Sequence, residues 1–436
     1  IEPGPSPIGL PVELAFLTRH GLAPSRLAHA AARSARNRSE PVREAITLGL
    51  IDETGFYRAL AIEMGLAFLP RPPNLQAGGG HDAILRQGIA PTAGDTRFRF
   101  ILAPEGAALR RMLEAGPRGR GDIAVTTPRR FAGALRRCNA AILAEHTAGL
   151  DPAGLARDSA RTGASRGQMI AAGGGLATTT LGGIFAPLET FFGLALLLGP
   201  LFLGLILLRL AASIERSAPD LWRSRRWRID ASRLPVYTVA VPLYRELSVL
   251  RQLTEALSAI DYPAAKLDIR LLIEADDTGM RNALARMTLP PHFSVTVVPP
   301  GMPRTKPRAL NLALLEARGT FFTIFDAEDI PDPQQLRMAA ARFLGGPKDL
   351  GCLQARLVID HAEEGVLPSL FALEYAGLFE VLNPGLLQFQ LPILLGGTSN
   401  HFRTQALRAV GGWDAWNVTE DADLGFRLVR AGYRIG

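Results

Sequence analysis

The sequence of 436 residues contains little cysteine and almost no lysine. Its two cysteines, Cys138 and Cys352, are too few for a disulfide scaffold or a cysteine zinc site, and they suit a reducing compartment. Of the 48 basic residues only three are lysines, so arginine supplies most of the positive charge behind the net charge of +7. We attribute this arginine excess to genomic base composition and expect no nucleic-acid partner. With 47% hydrophobic and 20% charged residues, the composition excludes disorder for most of the chain.

At about 150 residues per domain, the length predicts two or three domains. The chain begins with Ile1 and stops at Gly436 directly after a helical pattern, so we expect the natural sequence to continue beyond both ends. Changes in charge, hydropathy and periodicity along the chain predict the following segments: a helical N-terminal domain (1–75), a small α/β appendix (76–150), a linker (151–166), a transmembrane segment of one or two helices (167–210), a basic juxtamembrane segment (211–234) and a C-terminal α/β domain (235–436).

Charge is missing from one long stretch of the chain. Between Arg166 and Arg209 the only charged residue is Glu189. The leucine-rich stretch 190–208 has nearly the ~20 residues that a helix needs to cross a bilayer. It has no polar face, which favours a transmembrane helix over a buried core helix. The glycine-rich stretch 167–188 predicts a second, weaker helix that completes a hairpin.

Arginines cluster after this stretch: Arg209, Arg216, Arg223, Arg225, Arg226, Arg228 and Arg233. The positive-inside rule then places the C-terminal domain in the cytoplasm, and we expect a multi-pass protein of the bacterial inner membrane. Trp222 and Trp227 suit either a helix at the level of the lipid headgroups or a solvated basic linker.

Beyond Leu234, strand-like and helix-like runs alternate, which predicts a mostly parallel sheet covered by helices on both faces. The predicted strands are Val236–Val241, Ile269–Glu274, Ser294–Val298, Phe321–Phe325 and Cys352–Val358. Ligands of such sheets bind at the carboxyl ends of the strands. Polar clusters fall at these ends.

The first cluster is Asp276-Asp277, which can hydrogen-bond a ribose or a pyrimidine N–H but can equally cap the next helix. Lys306 opens a helix, where it can meet a phosphate. Asp326 and Glu328 follow a buried apolar strand. Their mutual repulsion is relieved if a divalent cation binds, although a solvated acidic turn is the alternative.

Several motifs carry a family resemblance: VPLYRE, EADDTG, KPRALN, FDAED, GGTSNHFR, GGWD and TEDADLGFRL. In this order and spacing they resemble family 2 glycosyltransferases, above all the membrane-embedded, cellulose-synthase-like branch. The resemblance covers residues 235–436. It implies a GT-A fold (Rossmann-like, mostly parallel), a nucleotide-sugar donor that is usually a UDP-sugar, Mg²⁺ or Mn²⁺, and inversion at the anomeric carbon.

The resemblance also implies roles for individual residues. Asp421 would be the general base, with Glu420 beside it. Asp326 and Glu328 would bind metal and diphosphate, although the third position of the usual Asp-x-Asp is Glu here. The donor-binding residues would be Pro242, Tyr244, Glu246, Asp276, Asp277 and Lys306. The acceptor-binding residues would be His401, Trp413 and Asp414.

The N-terminal residues resemble the small N-terminal domain of type II secretion and type IV pilus assembly ATPases, best over GLIDETGFYRALAIEMGLAFLP (49–70). Some members of that family bind cyclic di-GMP through an Arg-Leu-Gly at each repeat. This chain has Arg38-Ser39-Glu40-Pro41 there, so we expect docking to a protein partner rather than cyclic di-GMP binding.

Three functions fit the sequence. The first is an inner-membrane enzyme that extends a polysaccharide or glycolipid. The second is transfer of a single sugar to a polyprenyl phosphate, and the third is a non-catalytic, nucleotide-responsive scaffold. The motif GGTSNHFR favours the first over the second. The joint presence of Asp326, Glu328 and Asp421 favours an enzyme over a scaffold. The chain stops before the Gln-x-x-Arg-Trp motif of processive synthases would appear.

Overall fold

The structure is a computed structural model that describes residues 9–94, 96–117, 121–149, 159–214 and 229–436. Part of the predicted linker and most of the arginine cluster lie outside these residues, as do Trp222 and Trp227. The predicted placement of the two tryptophans at the lipid headgroups therefore stays a prediction.

Residues 9–149, called the N-terminal unit below, combine helices with a small sheet. The helices are Val12–Ala15, Pro24–Asn37, Pro41–Thr47, Glu53–Met64, His81–Gln87, Gly106–Ala115, Pro128–Cys138 and Ala140–Ala148, with a 3-10 turn at Phe16–His20. The strands lie in the order Ala67–Phe68, Ile123–Val125, Phe100–Leu102 and Ile89–Pro91. Local sequence sets the helix ends. Asp52, for example, accepts a hydrogen bond from the N–H of Gly55 at 3.0 Å.

One hydrophobic core joins the helices of this unit to its sheet. Phe56 and Leu60 share the core with Leu109 and Val125. The strand Ala67–Phe68 also pairs with Ile123–Val125. The boundary predicted at residue 75 crosses this core, so the two predicted N-terminal segments pack as one unit.

Two exposed helices, Arg166–Phe185 and Pro187–Ile214, follow the N-terminal unit and form a hairpin. Ser165 and Gln168 form a capping box at the start of the first helix. Gly182 lies so close to Thr190 that a Cβ on Gly182 would come within 2.5 Å of the threonine hydroxyl. The predicted 190–208 segment is thus part of a continuous helix of 28 residues, long enough to cross a bilayer.

The second half of the chain is built on a seven-stranded sheet, called the C-terminal sheet below. In spatial order its strands are Arg434–Ile435, Leu350–Gln354, Asn400–Arg403, Phe321–Ile324, Tyr237–Leu243, Leu267–Glu274 and Phe293–Val298. Only Asn400–Arg403 runs antiparallel to its neighbours, so the prediction of a mostly parallel α/β sheet is confirmed.

Helices cover both faces of this sheet, with one hydrophobic core on each face. They are Leu250–Ser258, Thr278–Arg286, Lys306–Glu316, Gln335–Gly345, Thr404–Ala409 and Glu420–Arg430. The helix Ala140–Ala148 of the N-terminal unit adds Leu143 to one of these cores. The N-terminal unit is therefore packed directly against the C-terminal domain.

The strand order reverses beside Tyr237–Leu243. The chain proceeds from this strand to Leu267–Glu274 and Phe293–Val298 on one side, and then crosses to Phe321–Ile324 on the other side. Such a topological switch leaves a crevice outside the carboxyl ends of the two central strands, which is where α/β sheets bind ligands. In this chain Glu246 and Asp326 follow those two ends.

A long apolar helix that was not predicted lies between two strands of the C-terminal sheet. It runs over Val366–Gln388, with a π-helical stretch at Gly377–Leu382. This helix and Pro187–Ile214 are the two described helices that are long and apolar enough to cross a membrane. Arg166–Phe185 is not among them. The signal in the sequence was a largely apolar run whose only charged residues are Glu374 and Glu380.

Candidate active site

Acidic residues gather in the crevice at the switch point. Burial raises the pKa of Glu246, and the charges of Glu328 and Asp326 raise it further. One carboxylate oxygen of Glu246, Oε2, is buried and has no hydrogen-bond partner among the described residues. Negative charge at this point is therefore only partly compensated by the protein.

The turn after the strand Phe321–Ile324 is held by Asp329 rather than by Asp326 or Glu328. The Asp329 carboxylate accepts the N–H of Asp326 at 2.7 Å and the hydroxyl of Thr398. Thr398 also accepts the N–H of Asp326 at 3.2 Å. The carboxylate of Asp326 and the exposed Glu328 are thereby left for another partner.

Lys306 supplies the positive charge of the crevice. It is the first residue of the helix Lys306–Glu316, which we call the linking helix. Its ammonium group contacts the carboxylate of Asp326 and donates to the carbonyl of Gly397 at 2.7 Å. Burial raises the pKa of Asp326, and the Lys306 charge opposes this rise.

Asp421 also lies close to Gly397. A Cβ on Gly397 would stand 3.6 Å from the Asp421 carboxylate and 3.9 Å from the Lys306 ammonium. Lys306 therefore lies near both Asp326 and Asp421, although these three residues are far apart in the sequence. The absence of a side chain at Gly397 keeps the space between them open.

Glu420 and Asp421 begin the helix Glu420–Arg430. Burial raises the pKa of Glu420, and the charges of Asp421 and Asp326 raise it further. Arg427 of the same helix pairs with Asp423 at 2.7 Å and donates to the carbonyl of Gly412 at 2.8 Å. The helix start is thus fixed against the Gly411-Gly412 turn, and the two carboxyl groups point to the crevice that holds Asp326.

The acidic pair after the strand Leu267–Glu274 divides into two roles. Asp277 caps the next helix by accepting the N–H of Met280 at 3.0 Å, and it also accepts the N–H of Arg245 at 2.7 Å. Asp276 is half-exposed and pairs with Arg304 at 2.7 Å. Asp276 is therefore the accessible residue of this pair, while Asp277 shapes the loop.

Two other predicted donor residues lie at the end of the neighbouring strand Tyr237–Leu243. Pro242 is partly buried in the strand Tyr237–Leu243, and Tyr244 follows this strand with an exposed ring. A hydrogen bond to Tyr244 and the charge of Asp276 raise the pKa of Arg304. Arg304, which the sequence analysis did not select, thus joins Tyr244 and Asp276 at one edge of the crevice.

Arg308 is a second residue that the sequence analysis passed over. Its side chain is fully buried, pairs with Glu274 at 2.8 Å and donates to the carbonyl of Pro299 at 2.9 Å. It lies one residue past Pro307 in the first turn of the linking helix. The pair therefore fixes Lys306 relative to the end of the strand Leu267–Glu274. The motif KPRALN contained this signal.

Three residues assigned to the acceptor do not reach the crevice. His401, Trp413 and Asp414 are each 1% exposed. His401 contacts the Tyr237 hydroxyl at 2.7 Å and the Gln335 amide at 3.0 Å, and burial lowers its pKa to about 3. This neutral imidazole is part of the core, which corrects the expectation that it binds the acceptor.

Trp413 packs against Phe322 and Phe402 in the core, so its ring does not wall an open sugar site. Asp414 accepts the hydroxyl of Ser159 at 2.9 Å and the N–H of Ala160 at 2.6 Å. It ties the segment before the hairpin to the C-terminal domain. Both residues have structural partners that the sequence motif alone did not reveal.

The crevice suits a divalent cation that arrives with a phosphorylated ligand. Among the described residues no group of three or more His, Cys, Asp or Glu side chains is placed to hold a metal by itself. Mg²⁺, however, is commonly bound by one or two carboxylates plus substrate phosphates. One Glu246 oxygen has no partner, and the charges of Glu328 and Asp326 raise the pKa of Glu246, so negative charge accumulates at this place. Asp326 and Glu328 would be the ligands.

Comparison with known proteins finds relatives of the C-terminal half of the chain. The family described as "Glycosyltransferase like family 2" matches residues 235–436. A probable glycosyltransferase, YdaM of Bacillus subtilis, is 23% identical over 225 residues, 51% of this chain and 52% of that protein. The UDP-forming cellulose synthase catalytic subunit of Xanthomonas axonopodis pv. citri is 31% identical over 214 residues, 47% of this chain and 28% of that protein.

A third relative is the beta-monoglucosyldiacylglycerol synthase of Synechocystis, 26% identical over 54% of this chain and 48% of that protein. This chain thus spans about half the length, or less, of the curated relatives that it matches. Among solved structures, the mannosyltransferase PcManGT of Pyrobaculum calidifontis, in complex with GDP-Man and Mn²⁺, is 21% identical with a TM-score of 0.39. The match covers 53% of this chain and 64% of that one.

Proposed function

We propose that the protein transfers a sugar from a nucleotide-sugar to an acceptor hydroxyl with inversion, because residues 235–436 match the family 2 glycosyltransferases and form a mostly parallel α/β sheet. One observation carries the proposal. Lys306 contacts Asp326, and Lys306 and Asp421 both border the Cα of Gly397, so a donor diphosphate and an acceptor hydroxyl can meet at one place. A site that only bound a metal or a nucleotide would not need a second carboxylate, Asp421, beside Lys306.

We assign the donor to the side of the crevice where Asp276, Tyr244 and Arg304 lie. Asp276 offers acceptor oxygens to the N–H and O–H groups of a nucleoside. Lys306 and Arg304 offer positive charge to its phosphates. A bound Mg²⁺ or Mn²⁺, held by Asp326 and Glu328, would stabilise the charge that develops on the leaving diphosphate.

We assign proton transfer to Asp421. The acceptor oxygen forms a bond to the anomeric carbon as the bond between that carbon and the diphosphate oxygen breaks. The acceptor proton moves to the Asp421 carboxylate, and the electron pair leaves with the nucleoside diphosphate. One base on the acceptor side suffices for such a single displacement, since the diphosphate leaves without needing an acid. Glu420 would position the helix start rather than take the proton.

For the donor we propose a UDP-sugar, and for the acceptor a growing polysaccharide or a glycolipid. The names of two relatives support this choice. One is a UDP-forming cellulose synthase catalytic subunit, and the other is a beta-monoglucosyldiacylglycerol synthase.

We further propose that Pro187–Ile214 spans the bacterial inner membrane in a multi-pass protein, with the C-terminal domain in the cytoplasm. The helix has a mean hydropathy of 2.6 over its most apolar part and is not buried by the rest of the chain. Arginines from Arg209 to Arg233 follow its apolar run, which supports this orientation.

The N-terminal unit is, in our proposal, a docking module of the kind found in secretion ATPases. Arg38, Ser39, Glu40 and Pro41 line a cavity of about 390 Å³ that also touches Arg318 of the C-terminal domain. Whether a protein partner or cyclic di-GMP binds to this unit stays a prediction.

The proposal is tested with bacterial membranes that contain the full-length protein. Release of nucleoside diphosphate and sugar incorporation are measured with a panel of UDP- and GDP-sugars, with and without EDTA. Wild-type membranes should consume at least one donor in a metal-dependent reaction, and the Asp421→Asn variant should lose most of this activity. Tight UDP binding without any sugar transfer would instead support the nucleotide-responsive scaffold.

A further inference from the structure

We propose that two segments outside the C-terminal domain position Asp421 for proton transfer. One is the end of the helix Ala140–Ala148, and the other is the turn 159–162, called the pre-hairpin turn below. Both hold the loop 413–419, called the connecting loop, which leads into the helix start that carries Asp421. This inference rests on the proposed function, and it goes beyond it because the family match begins only at residue 235.

Asp414 joins the connecting loop to the pre-hairpin turn. Its carboxylate accepts the Ser159 hydroxyl at 2.9 Å and the Ala160 N–H at 2.6 Å. The same carboxylate accepts the N–H of Trp416 at 3.1 Å inside the loop. Asp414 is buried, and hydrogen bonds are stronger in such surroundings than in water. One buried side chain therefore fixes both the shape of the loop and its attachment to the turn.

Trp416 joins the connecting loop to the end of the N-terminal unit. Its indole N–H donates to the carbonyl of Ala148 at 2.9 Å. Ala148 is the last residue of its helix, where the helix itself supplies no N–H for the carbonyl. The guanidinium of Arg161 lies over the Trp416 ring, 5.5 Å from its centre. The indole thus completes the helix end and also contacts the pre-hairpin turn.

The linking helix contacts the same loop. Asn311 donates to the carbonyls of Thr147 at 3.0 Å and Trp413 at 2.8 Å, and it accepts the Trp413 N–H at 2.9 Å. Thr305, the residue before the linking helix, donates to the carbonyl of Ala415 at 3.0 Å. The connecting loop is therefore bound both to the N-terminal unit and to the helix that supplies the positive charge of the crevice.

Asp421 depends on the connecting loop for its position. Among the described residues its carboxylate accepts a hydrogen bond only from the adjacent N–H of Ala422, at 2.8 Å. The Thr419 side chain does not cap the helix. Arg427 ties this helix to the carbonyl of Gly412, so the helix start follows the path of the chain between these two residues. Displacing a reacting group by about 1 Å can cost about 10²-fold in rate, so the support of this loop affects transfer.

The two segments also connect the loop to the parts of the chain on either side of them. Ala148 ends the last helix of the N-terminal unit. Ser165, three residues after the pre-hairpin turn, caps the first helix of the hairpin. A displacement of the N-terminal unit or of the hairpin is therefore transmitted to the connecting loop. Full transfer activity thus requires both parts in place beside residues 235–436.

Three variants test this inference in membranes that contain the full-length protein. Asp414→Ala removes the bonds to the pre-hairpin turn, whereas Asp414→Asn keeps groups that can both accept and donate there. Trp416→Phe removes the indole N–H and keeps an aromatic ring. Tyr57→Phe is the matched control, because it removes a hydrogen bond of 2.7 Å to the carbonyl of Pro104 within the N-terminal unit.

Each variant is measured for kcat and donor KM with the nucleotide-sugar that the wild type consumes, and for UDP affinity and thermal unfolding. We expect Asp414→Ala to lower kcat by about 10- to 10²-fold, while UDP affinity and donor KM stay near the wild-type values. Trp416→Phe should lower kcat less, by several-fold. Asp414→Asn should recover most of the loss, because the bonds rather than the charge hold the loop. Tyr57→Phe should keep a normal kcat.

Wild-type kcat in folded Asp414→Ala and Trp416→Phe, with Asp421→Asn inactive, would overturn this inference and leave the assignment of the base intact. If Asp414→Ala does not fold, Trp416→Phe alone decides. Equal losses of UDP affinity and kcat would also overturn it, because a general distortion of the domain affects donor binding too. Near-normal transfer by Asp421→Asn would instead overturn the proposed role of Asp421, on which this inference rests.

Discussion

Lys306 and Glu316 are the first and last residues of one helix, and each forms an ion pair with a different part of the molecule. Lys306 contacts Asp326 in the crevice. Glu316 is buried and binds Arg136 at 2.7 Å and His81 at 3.0 Å, both from the N-terminal unit. The linking helix therefore connects the contact with the N-terminal unit to the crevice that holds Asp326, and Arg270 adds a bond to Glu316 at 2.9 Å.

Glu316→Gln should weaken the contact between the two parts of the chain. The substitution leaves Arg136 and Arg270 buried without their anion, and breaking a buried pair in this way costs about 3–5 kcal/mol of folding free energy. Thermal unfolding in detergent measures the loss. Glu255→Gln is the control, because Glu255 pairs with Arg251 in solvent and should change stability by about 0–1 kcal/mol. Equal effects of the two substitutions would contradict this reading of the interface.

The same carboxylate predicts a dependence on acid. Burial alone would raise the pKa of Glu316, but Arg136, His81 and Arg270 outweigh burial and lower it to about 2. The folded pKa is thus below the unfolded one, so the stabilisation is complete above about pH 4.5 and is lost as the pH falls towards 2. The wild-type protein should lose stability in this window, and Glu316→Gln should lose less. If the wild type and Glu316→Gln lost the same amount of stability at low pH, the low pKa of Glu316 would be contradicted.

His401 predicts a second dependence on pH, at less acidic values. Burial lowers its pKa to about 3, whereas an unfolded histidine titrates near 6.5. Protons then bind to the unfolded chain first, so stability is complete above about pH 6.5 and falls as the pH drops towards 3. His401→Gln should reduce the stability difference between pH 7.5 and pH 5 by about 2 kcal/mol. An unchanged difference, measured by unfolding at both values, would show that His401 is accessible to protons in the fold.

Asp326→Asn should remove metal-dependent donor binding. The remaining carboxylate of Glu328 cannot hold a divalent ion and a diphosphate together, and Lys306 loses its anion. Titration calorimetry with UDP, in Mn²⁺ and in EDTA, should show an affinity that depends on metal in the wild type only. Asp360→Asn, at an exposed position far along the chain, is the control. If EDTA left the UDP affinity of the wild type unchanged, residues 325–329 would be an ordinary acidic turn.

Protease protection tests the membrane orientation. Inverted inner-membrane vesicles expose the cytoplasmic face, so protease should digest the C-terminal domain there and spare it in intact spheroplasts. A protected C-terminal domain in inverted vesicles would contradict the positive-inside assignment from Arg209 and Arg233. If Arg166–Phe185 also crosses the bilayer, the N-terminal unit should be digested in the same vesicles.

Five of the seven strands of the C-terminal sheet were predictable because each is a largely apolar run, whereas Asn400–Arg403 and Arg434–Ile435 are short and polar and were missed. Phe321–Phe325 was predicted and Phe321–Ile324 is observed. Asp326 and Glu328 were predicted for the same reason, since carboxylates at the end of a buried strand need a partner. Lys306 was predicted from its place at a helix start. In all these cases a local pattern held the information.

The failures share another cause. His401, Trp413 and Asp414 stand in motifs that resemble a known site, but burial decides what a side chain touches, and burial depends on distant packing. Tyr237 contacts His401 across 164 residues, and Ser159 contacts Asp414 across 255. The apolar helix Val366–Gln388 was missed because Glu374 and Glu380 interrupt its pattern. Contacts between residues so far apart cannot be read from the residues that surround each one in the sequence.

The proposed role of Asp421, which takes the acceptor proton beside the Lys306–Asp326 pair, is tested by comparing two variants. Sugar incorporation and UDP binding are measured for Asp421→Asn and Glu420→Gln in membranes that contain the full-length protein. Asp421→Asn keeps the shape of the side chain and removes the basic oxygen, so transfer should fall about 10²-fold or more while UDP binding stays nearly intact. Glu420→Gln should cost less. Near-normal transfer by Asp421→Asn would contradict the account and move the base to another residue, with Asp423 the next candidate.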